Sequence, residues 1–133
     1  MKISEVSKVV GLSVATIRYY SGLGLIPSEK RDLAGERIFD DEAVVWLQGI
    51  KFQRDLGIPL SEIKKYIALC QQTGPAAVKR RYKMLLKQRE KAKSDFLDSV
   101  ERMDIIDSKI KREEEIMKGK RSDSLSAARR FSQ

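Results

Sequence analysis

The chain has 133 residues, 41% of them hydrophobic and 35% charged, which suits one small core with much solvated helix around it. Its net charge of +8 favours a polyanionic partner such as nucleic acid. With no histidine and one cysteine, Cys70, it excludes histidine-based acid–base chemistry, histidine metal sites, thiolate clusters and an internal disulfide.

The residues Met1 to Glu5 lack the apolar stretch of a signal peptide, and no apolar run reaches membrane-spanning length. A cytoplasmic protein without membrane contact, metal or cofactor is expected. Ile3, Val6, Val9 and Val10 then recur at helical spacing after Ser4, a candidate N-cap, and Gly11 ends that helix. Ser13 caps a second helix, which carries Thr16-Ile17-Arg18-Tyr19-Tyr20. Two short helices joined by Gly11-Leu12-Ser13 read as a helix-turn-helix, whose second helix commonly enters the major groove.

From Ser28 to Phe39 the helical pattern lapses. Lys30 to Gly35 reads as a polar turn and Arg37-Ile38-Phe39 as a short strand, together a basic two-stranded wing suited to a phosphate backbone. Asp40 or Asp41 caps a third helix, with Val44 or Val45, Leu47, Ile50 and Leu56 as its stripe and Trp46 and Phe52 read as core. Gly57 closes it, and Pro59 takes the first position of a fourth helix, with Leu60, Ile63, Ile67 and Leu69 inward. Thr73-Gly74-Pro75 breaks the chain again.

From Ala76 to Lys118 there is no glycine or proline, so one helix on the order of 60 Å is expected at 1.5 Å per residue. A seven-residue register places Tyr82, Arg89, Phe96, Met103, Ile110 and Met117 at one position, with Leu85, Ala92, Ser99, Ile106 and Glu113 three further on. The dimerisation residues expected from this seam are Tyr82, Leu85, Ala92, Phe96, Met103, Ile106 and Ile110. Self-pairing is the simplest source of a partner helix; a helix folded back on its own domain is the alternative. Three segments follow: a DNA-binding unit over 1–72, a coiled-coil helix over 73–118 and a basic disordered tail over 119–133.

Positive charge is concentrated late in the chain. Residues 1–72 carry ten Lys and Arg against nine Asp and Glu, whereas 73–118 carry thirteen against nine and 119–133 four against one. Between 79 and 93 there are eight cations and one anion, Glu90. Lys79, Arg80, Lys83 and Lys87 are expected to add to the field seen by DNA, and Arg81 to anchor one segment to another.

Taken together, Thr16-Ile17-Arg18-Tyr19-Tyr20, Gly24-Leu25-Ile26, Gly35-Glu36-Arg37, Leu56-Gly57-Ile58-Pro59-Leu60, Glu62-Ile63 and the terminal long helix resemble the MerR family of bacterial transcription regulators over about residues 1–118. The resemblance implies an all-α dominated fold: a winged helix-turn-helix with a small β wing, followed by a long helix forming an antiparallel coiled-coil homodimer. It further implies double-stranded DNA as partner, a pseudo-palindromic promoter site, and bending and untwisting of the promoter spacer so that RNA polymerase engages both elements. Carried over by position, Arg18, Tyr19 and Tyr20 would contact phosphates, and Arg18 also bases. Ser13, Val14, Ala15 and Thr16 would face the groove, Arg37 would hold the backbone from the wing, and Arg54 would lie near the distorted DNA centre. Three departures stand out: Ser21 where an acidic residue is common, Glu36 where an aromatic is usual, and Phe39 where tyrosine is frequent.

The resemblance also implies cysteine clusters in metal- and redox-sensing members, which one cysteine cannot supply. Cys70 is the one candidate thiol sensor, against the commoner reading of a buried inert thiol. No effector is assigned. The alternative function is an architectural or excisionase-like winged-helix DNA binder without an effector; an enzyme is not expected, for want of histidine, a metal cluster or a phosphate-cradling glycine loop.

Overall fold

Val6 and Val10, four residues apart on α1 (Ile3–Val10), are both buried, as the spacing requires of one helix face. The computed structural model describes all of residues 1–133. It makes Lys2 the N-cap of α1 and puts Ser4 inside the first turn, so Ser4 is not the cap. Gly11 ends the helix with φ of 72°, a left-handed conformation that a Cβ would strain. Lys51 Nζ donates to the Val10 carbonyl at 3.1 Å, tying the end of α1 to the next long helix.

Ser13 caps α2 (Val14–Gly22), its hydroxyl accepting from the Thr16 N–H at 3.0 Å. Ile17 and Tyr20 point inward, and Leu25 and Ile26 follow them into the core. The wing is a two-stranded antiparallel ribbon of β1 (Lys30–Arg31) and β2 (Arg37–Ile38), with Lys30 opposite Ile38 and Arg31 opposite Arg37. Lys30 and Arg31 thus belong to the ribbon rather than to its turn. Asp32 forms that turn, its Oδ1 accepting the N–H groups of Ala34 and Glu36 at 3.0 and 2.9 Å.

Asp40 caps α3 (Asp41–Asp55) by accepting from the Ala43 N–H at 2.8 Å. Ala43, Val44, Leu47 and Ile50 are buried. Phe52 and Leu56, expected to be core, are 61% and 57% exposed. At 100° per residue they lie about 200° and 240° round the helix from Ile50, so the face that buries Ile50 cannot bury them. Pro59 is the N-cap of α4 (Leu60–Cys70), which therefore begins one residue later than expected, and Ile63 and Ile67 complete the core.

The remaining helices are α5 (Pro75–Met117) and a short α6 (Ala127–Ser132). The chain divides into compact units of Met1–Leu85 and Leu86–Gln133, so the first extends past the boundary expected at residue 72. Two side chains account for that. Ala77 is buried, and Arg81 Nη1 donates to the carbonyls of Leu69 and Gln72 at 3.0 and 2.8 Å, meeting the orphan acceptors at the end of α4. The segment read as a disordered tail contains α6, capped by Ser126 and braced by an Arg130–Asp123 ion pair at 3.1 Å.

Ala77 is the one buried residue of α5. Many of its other apolar side chains are exposed, among them Tyr82, Leu85, Phe96, Met103, Ile106 and Ile110, while Met84, Leu86, Val100 and Ile116 are half-buried. Leu97 and Ile105, outside the seven-residue register, are exposed as well.

Candidate nucleic-acid interface

A groove of about 510 Å³ runs between the start of α1, the outer side of α2 and the wing. Arg18, Arg31, Arg37 and Lys2 line it, with Ser4 and Glu36. Each cation is held differently. Arg31 Nη1 donates to the Gly35 carbonyl at 2.7 Å, bracing the wing turn. Lys2 Nζ sits 2.6 Å from Asp32 Oδ2 and 2.8 Å from Glu36 Oε2, so the start of the chain is pinned to the wing by two carboxylates. Arg37 Nε lies 3.0 Å from Glu29 Oε1 and donates to Ser21 Oγ at 2.8 Å. The chain's ion pairs engage Lys2, Lys30, Arg37, Lys65, Lys91, Arg121 and Arg130 and leave Arg18 free.

Arg18 and Arg37, expected at the interface from sequence, therefore come together across one groove. Tyr19 is 57% exposed and Tyr20 7%, with ring centroids 6.1 Å apart. Tyr20 is a core residue, and of the pair only Tyr19 presents its ring to solvent. At the other end of α2, Ser13 Oγ donates to Thr16 Oγ1 at 2.8 Å while capping the helix. Ala15 is exposed and Val14 half-buried, so one helix start shows small and hydroxyl groups to solvent. Its first turn carries no acidic residue, leaving the positive end of the helix dipole open to phosphate. Arg54 is not among the groove residues; its Nη1 donates to the Ile58 carbonyl at 3.2 Å and steadies the turn after α3.

Sequence reasoning missed Lys2, Arg31 and Ser4 as groove residues, and Glu29 as the partner of Arg37. The adjacent Lys30-Arg31 was the available signal, since alternate strand residues face opposite ways. An acidic side chain at position 21 is absent, but Glu29 places a carboxylate against the Ser21 hydroxyl, which donates to it. The two other departures also have a place. Phe39 is fully buried, so it belongs to the core, and Glu36 is matched by Lys2 rather than left as a lone anion beside the groove.

Cys70 is exposed, not buried as the commoner reading held. It sits with Tyr66, Trp46, Phe52 and Gln53 on an apolar hollow of about 230 Å³ between α3 and α4. Burial pushes the Tyr66 hydroxyl up from its ordinary pKa, with the neighbouring Cys70 adding to the shift. No cluster of three or more His, Cys, Asp or Glu comes together in an arrangement that could hold a metal ion.

Residues 1–70 match the family described as MerR HTH family regulatory protein. The chain belongs to that family. It is 36% identical over 91 residues to the HTH-type transcriptional regulator AdhR of Bacillus subtilis, an alignment covering 68% of this chain and 64% of AdhR. The crystal structure of a MerR family transcriptional regulator from Bacillus thuringiensis superposes with a TM-score of 0.64 at 29% identity, covering 84% of this chain and 97% of that one. HiNmlR, a MerR family regulator lacking the sensor domain and bound to promoter DNA, shares the fold with a TM-score of 0.66 at 23% identity, covering 90% of each chain. The chain thus carries the helix-turn-helix of the MerR family of regulators, with the mostly helical winged fold expected from its sequence. No helix is long and apolar enough to cross a membrane.

For a MerR-family wing the Lys2 contacts carry a consequence. The two hydrogen bonds, first to Asp32 and then to Glu36, raise the Lys2 ammonium above its ordinary 10.5, and the bond from Lys2 holds Asp32 below its ordinary 3.8. A raised lysine contributes below its unfolded pKa and loses that contribution as pH climbs through the folded value. A lowered aspartate contributes above its unfolded pKa and loses it as pH falls. The wing is therefore fastened between about pH 3.8 and 10.5 and loosens outside that window. Lys2→Met is expected to leave two unpaired carboxylates beside the groove and to weaken DNA binding several-fold at low salt. Anisotropy titrations at two salt concentrations would show the deficit shrinking as salt rises; an unchanged affinity at low salt would refute it.

Proposed function

We propose that the protein acts as a homodimer on a pseudo-palindromic promoter site and controls transcription by bending and untwisting the spacer between the promoter elements. The observation that carries this reading is the apolar seam of α5, in which Tyr82, Leu85, Phe96, Met103, Ile106 and Ile110 lie in water. Ala92 completes the seam as a small residue on the same face. A second copy supplies the missing surface most simply, in the antiparallel pairing the family resemblance implies. A single winged helix reads one half-site; two, held about one DNA turn or roughly 34 Å apart, read an inverted repeat.

On each half-site the start of α2, with Ser13, Val14, Ala15 and Thr16, faces the major groove. Arg18 and Tyr19 reach phosphates, Arg18 also base edges, with Arg37 on the wing side. Tyr20 supports this surface from beneath, and Arg54 stands near the distorted centre. Lys79, Arg80, Lys83 and Lys87, all exposed, add sequence-independent attraction. Segments 1–72, 73–118 and 119–133 then act as DNA-binding unit, dimerisation helix and basic tail, in the cytoplasm where promoter and RNA polymerase meet. Cys70, exposed on its hollow, is the one thiol able to report an oxidant or electrophile.

Selection of bound fragments from genomic DNA tests the proposal. An inverted repeat lying between unusually separated promoter elements is expected. Enrichment of bent or flexible DNA without promoter spacing would favour the architectural alternative, and no enrichment would refute sequence-specific binding.

A further inference from the structure

We propose that Glu29, acting together with Ser21, is a positioning residue for the wing arginine Arg37 and sets the direction in which its guanidinium meets the DNA backbone. The proposal rests on the reading of the groove between α2 and the wing as a phosphate site.

Ser21 is the one buried polar residue of the chain, 8% exposed near the end of α2. Its hydroxyl has one proton to give and two lone pairs to offer. It donates to Glu29 Oε1 and accepts from Arg37 Nε at 2.8 Å, while Arg37 Nε also lies 3.0 Å from the same carboxylate oxygen. Three segments thus meet at one point: α2, the loop after it and β2. The Arg37 and Glu29 side chains keep 25% and 20% of their exposure, so the contact is shielded from water on most sides. Charge-assisted bonds in such a setting are about twice as strong as neutral ones.

Only the Nε edge of Arg37 is used. Its Nη1 and Nη2 groups bond nothing within the chain, and the side chain lines the groove opposite Arg18. An arginine fixed along its inner edge offers its outer N–H groups as a ready fork for phosphate, where a free side chain would first have to be ordered. Glu29 therefore sets two effects against each other. As an anion beside the site it repels DNA; as a clamp it prepares the arginine. If repulsion alone mattered, removing its charge would tighten binding.

The test uses the full chain and the promoter fragment it selects. Glu29→Gln keeps the size and an acceptor for Ser21 but raises the net charge from +8 by one. The expected result is an affinity about three- to tenfold weaker despite the added positive charge. Ser21→Ala should shift affinity in the same direction. Adding Glu29→Gln to Arg37→Ala should cause no further loss, because nothing remains to position. In an NMR spectrum the Arg37 Nε–Hε signal, protected from exchange in the parent, should lose that protection in Glu29→Gln. Binding equal to or tighter than the parent's, or an equal loss in the Arg37→Ala background, overturns the proposal.

A fragment-binding parent whose Arg37→Ala variant binds equally well would remove Arg37 from the site, and the proposal with it. A parent that binds no DNA would instead sink the reading of the groove. Circular dichroism separates unfolding from mispositioning. Should Glu29→Gln fail to fold, Glu29→Asp, one methylene too short to span the contact, must show the same directional loss or the proposal falls.

Discussion

Replacing both Phe96 and Ile106 by aspartate is expected to turn the proposed dimer into monomers and to weaken operator binding by about a hundredfold or more. Both side chains lie on α5 and are 67% and 55% exposed, so neither supports the fold of an isolated chain. The unit Met1–Leu85 keeps its entire core, from Val6 to Ile67, in the variant. Across a self-paired seam, each copy would instead bury two carboxylates against the apolar residues of the other, a cost no partner group offsets. Two linked half-sites bind as one event with a high effective concentration, and losing the link forfeits roughly 10²- to 10⁴-fold in affinity. Sedimentation gives the mass and anisotropy the affinity. The control is Leu97→Asp with Ile105→Asp, equally exposed but outside the register. That pair should leave the dimer intact. Monomers from the control and dimers from the seam variant would mean that a different face of α5 pairs.

Sequence reading was strongest where the signal is local. A stripe that repeats every seven residues is written in local order, as are the caps Ser13 and Asp40 and the left-handed Gly11, each of which acts within four residues of itself. The winged helix-turn-helix and the family were legible for that reason. Where two like residues are adjacent, local order says one faces in and one out; the core geometry decides that Tyr20 goes in and Tyr19 out. Phe52 and Leu56 were misplaced because apolar character was allowed to outweigh their angle round α3.

The contacts that shape the candidate site were illegible on different grounds. Lys2 meets Asp32 and Glu36 from thirty and thirty-four residues away, and Arg37 meets Ser21 from sixteen. No spacing rule links such residues, because the loop that brings them together is set by the core and not by their own chemistry. The sequence showed Ser21 and Glu36 only as departures from a family pattern. In the folded chain each departure is answered by a distant residue of suitable charge: Glu29 brings a carboxylate to Ser21, and Lys2 brings an ammonium to Glu36. A reading confined to one position at a time sees the change and not its compensation.

Phe39→Ala should cost about 3–5 kcal/mol of stability, the largest effect of any single truncation in the wing. Phe39 is fully buried, in one cluster with Ile17, Leu47 and Ile50. It sits where β2 hands over to α3, and its N–H donates to the Met1 carbonyl at 2.8 Å, so the surrounding backbone is fastened on both sides. A cavity in such a place cannot easily collapse, which puts the cost toward the upper part of the range. Against a total stability of roughly 5–15 kcal/mol for a domain, that loss leaves a marginal fold. Leu33→Ala, at the fully exposed tip of the same wing, should change stability by less than about 0.5 kcal/mol. Thermal and urea unfolding at one fixed protein concentration measure both, since the proposed self-pairing would make the midpoint depend on concentration. The DNA-binding deficit of Phe39→Ala should follow the fraction unfolded, nearly vanishing on cooling to where the variant is folded, because Phe39 itself is sealed away from the groove. A deficit that persisted in the cold would mean that the cavity moves β2 and, with it, Arg37. A stability loss below about 1 kcal/mol would mean that Phe39 does not hold the wing to the helices.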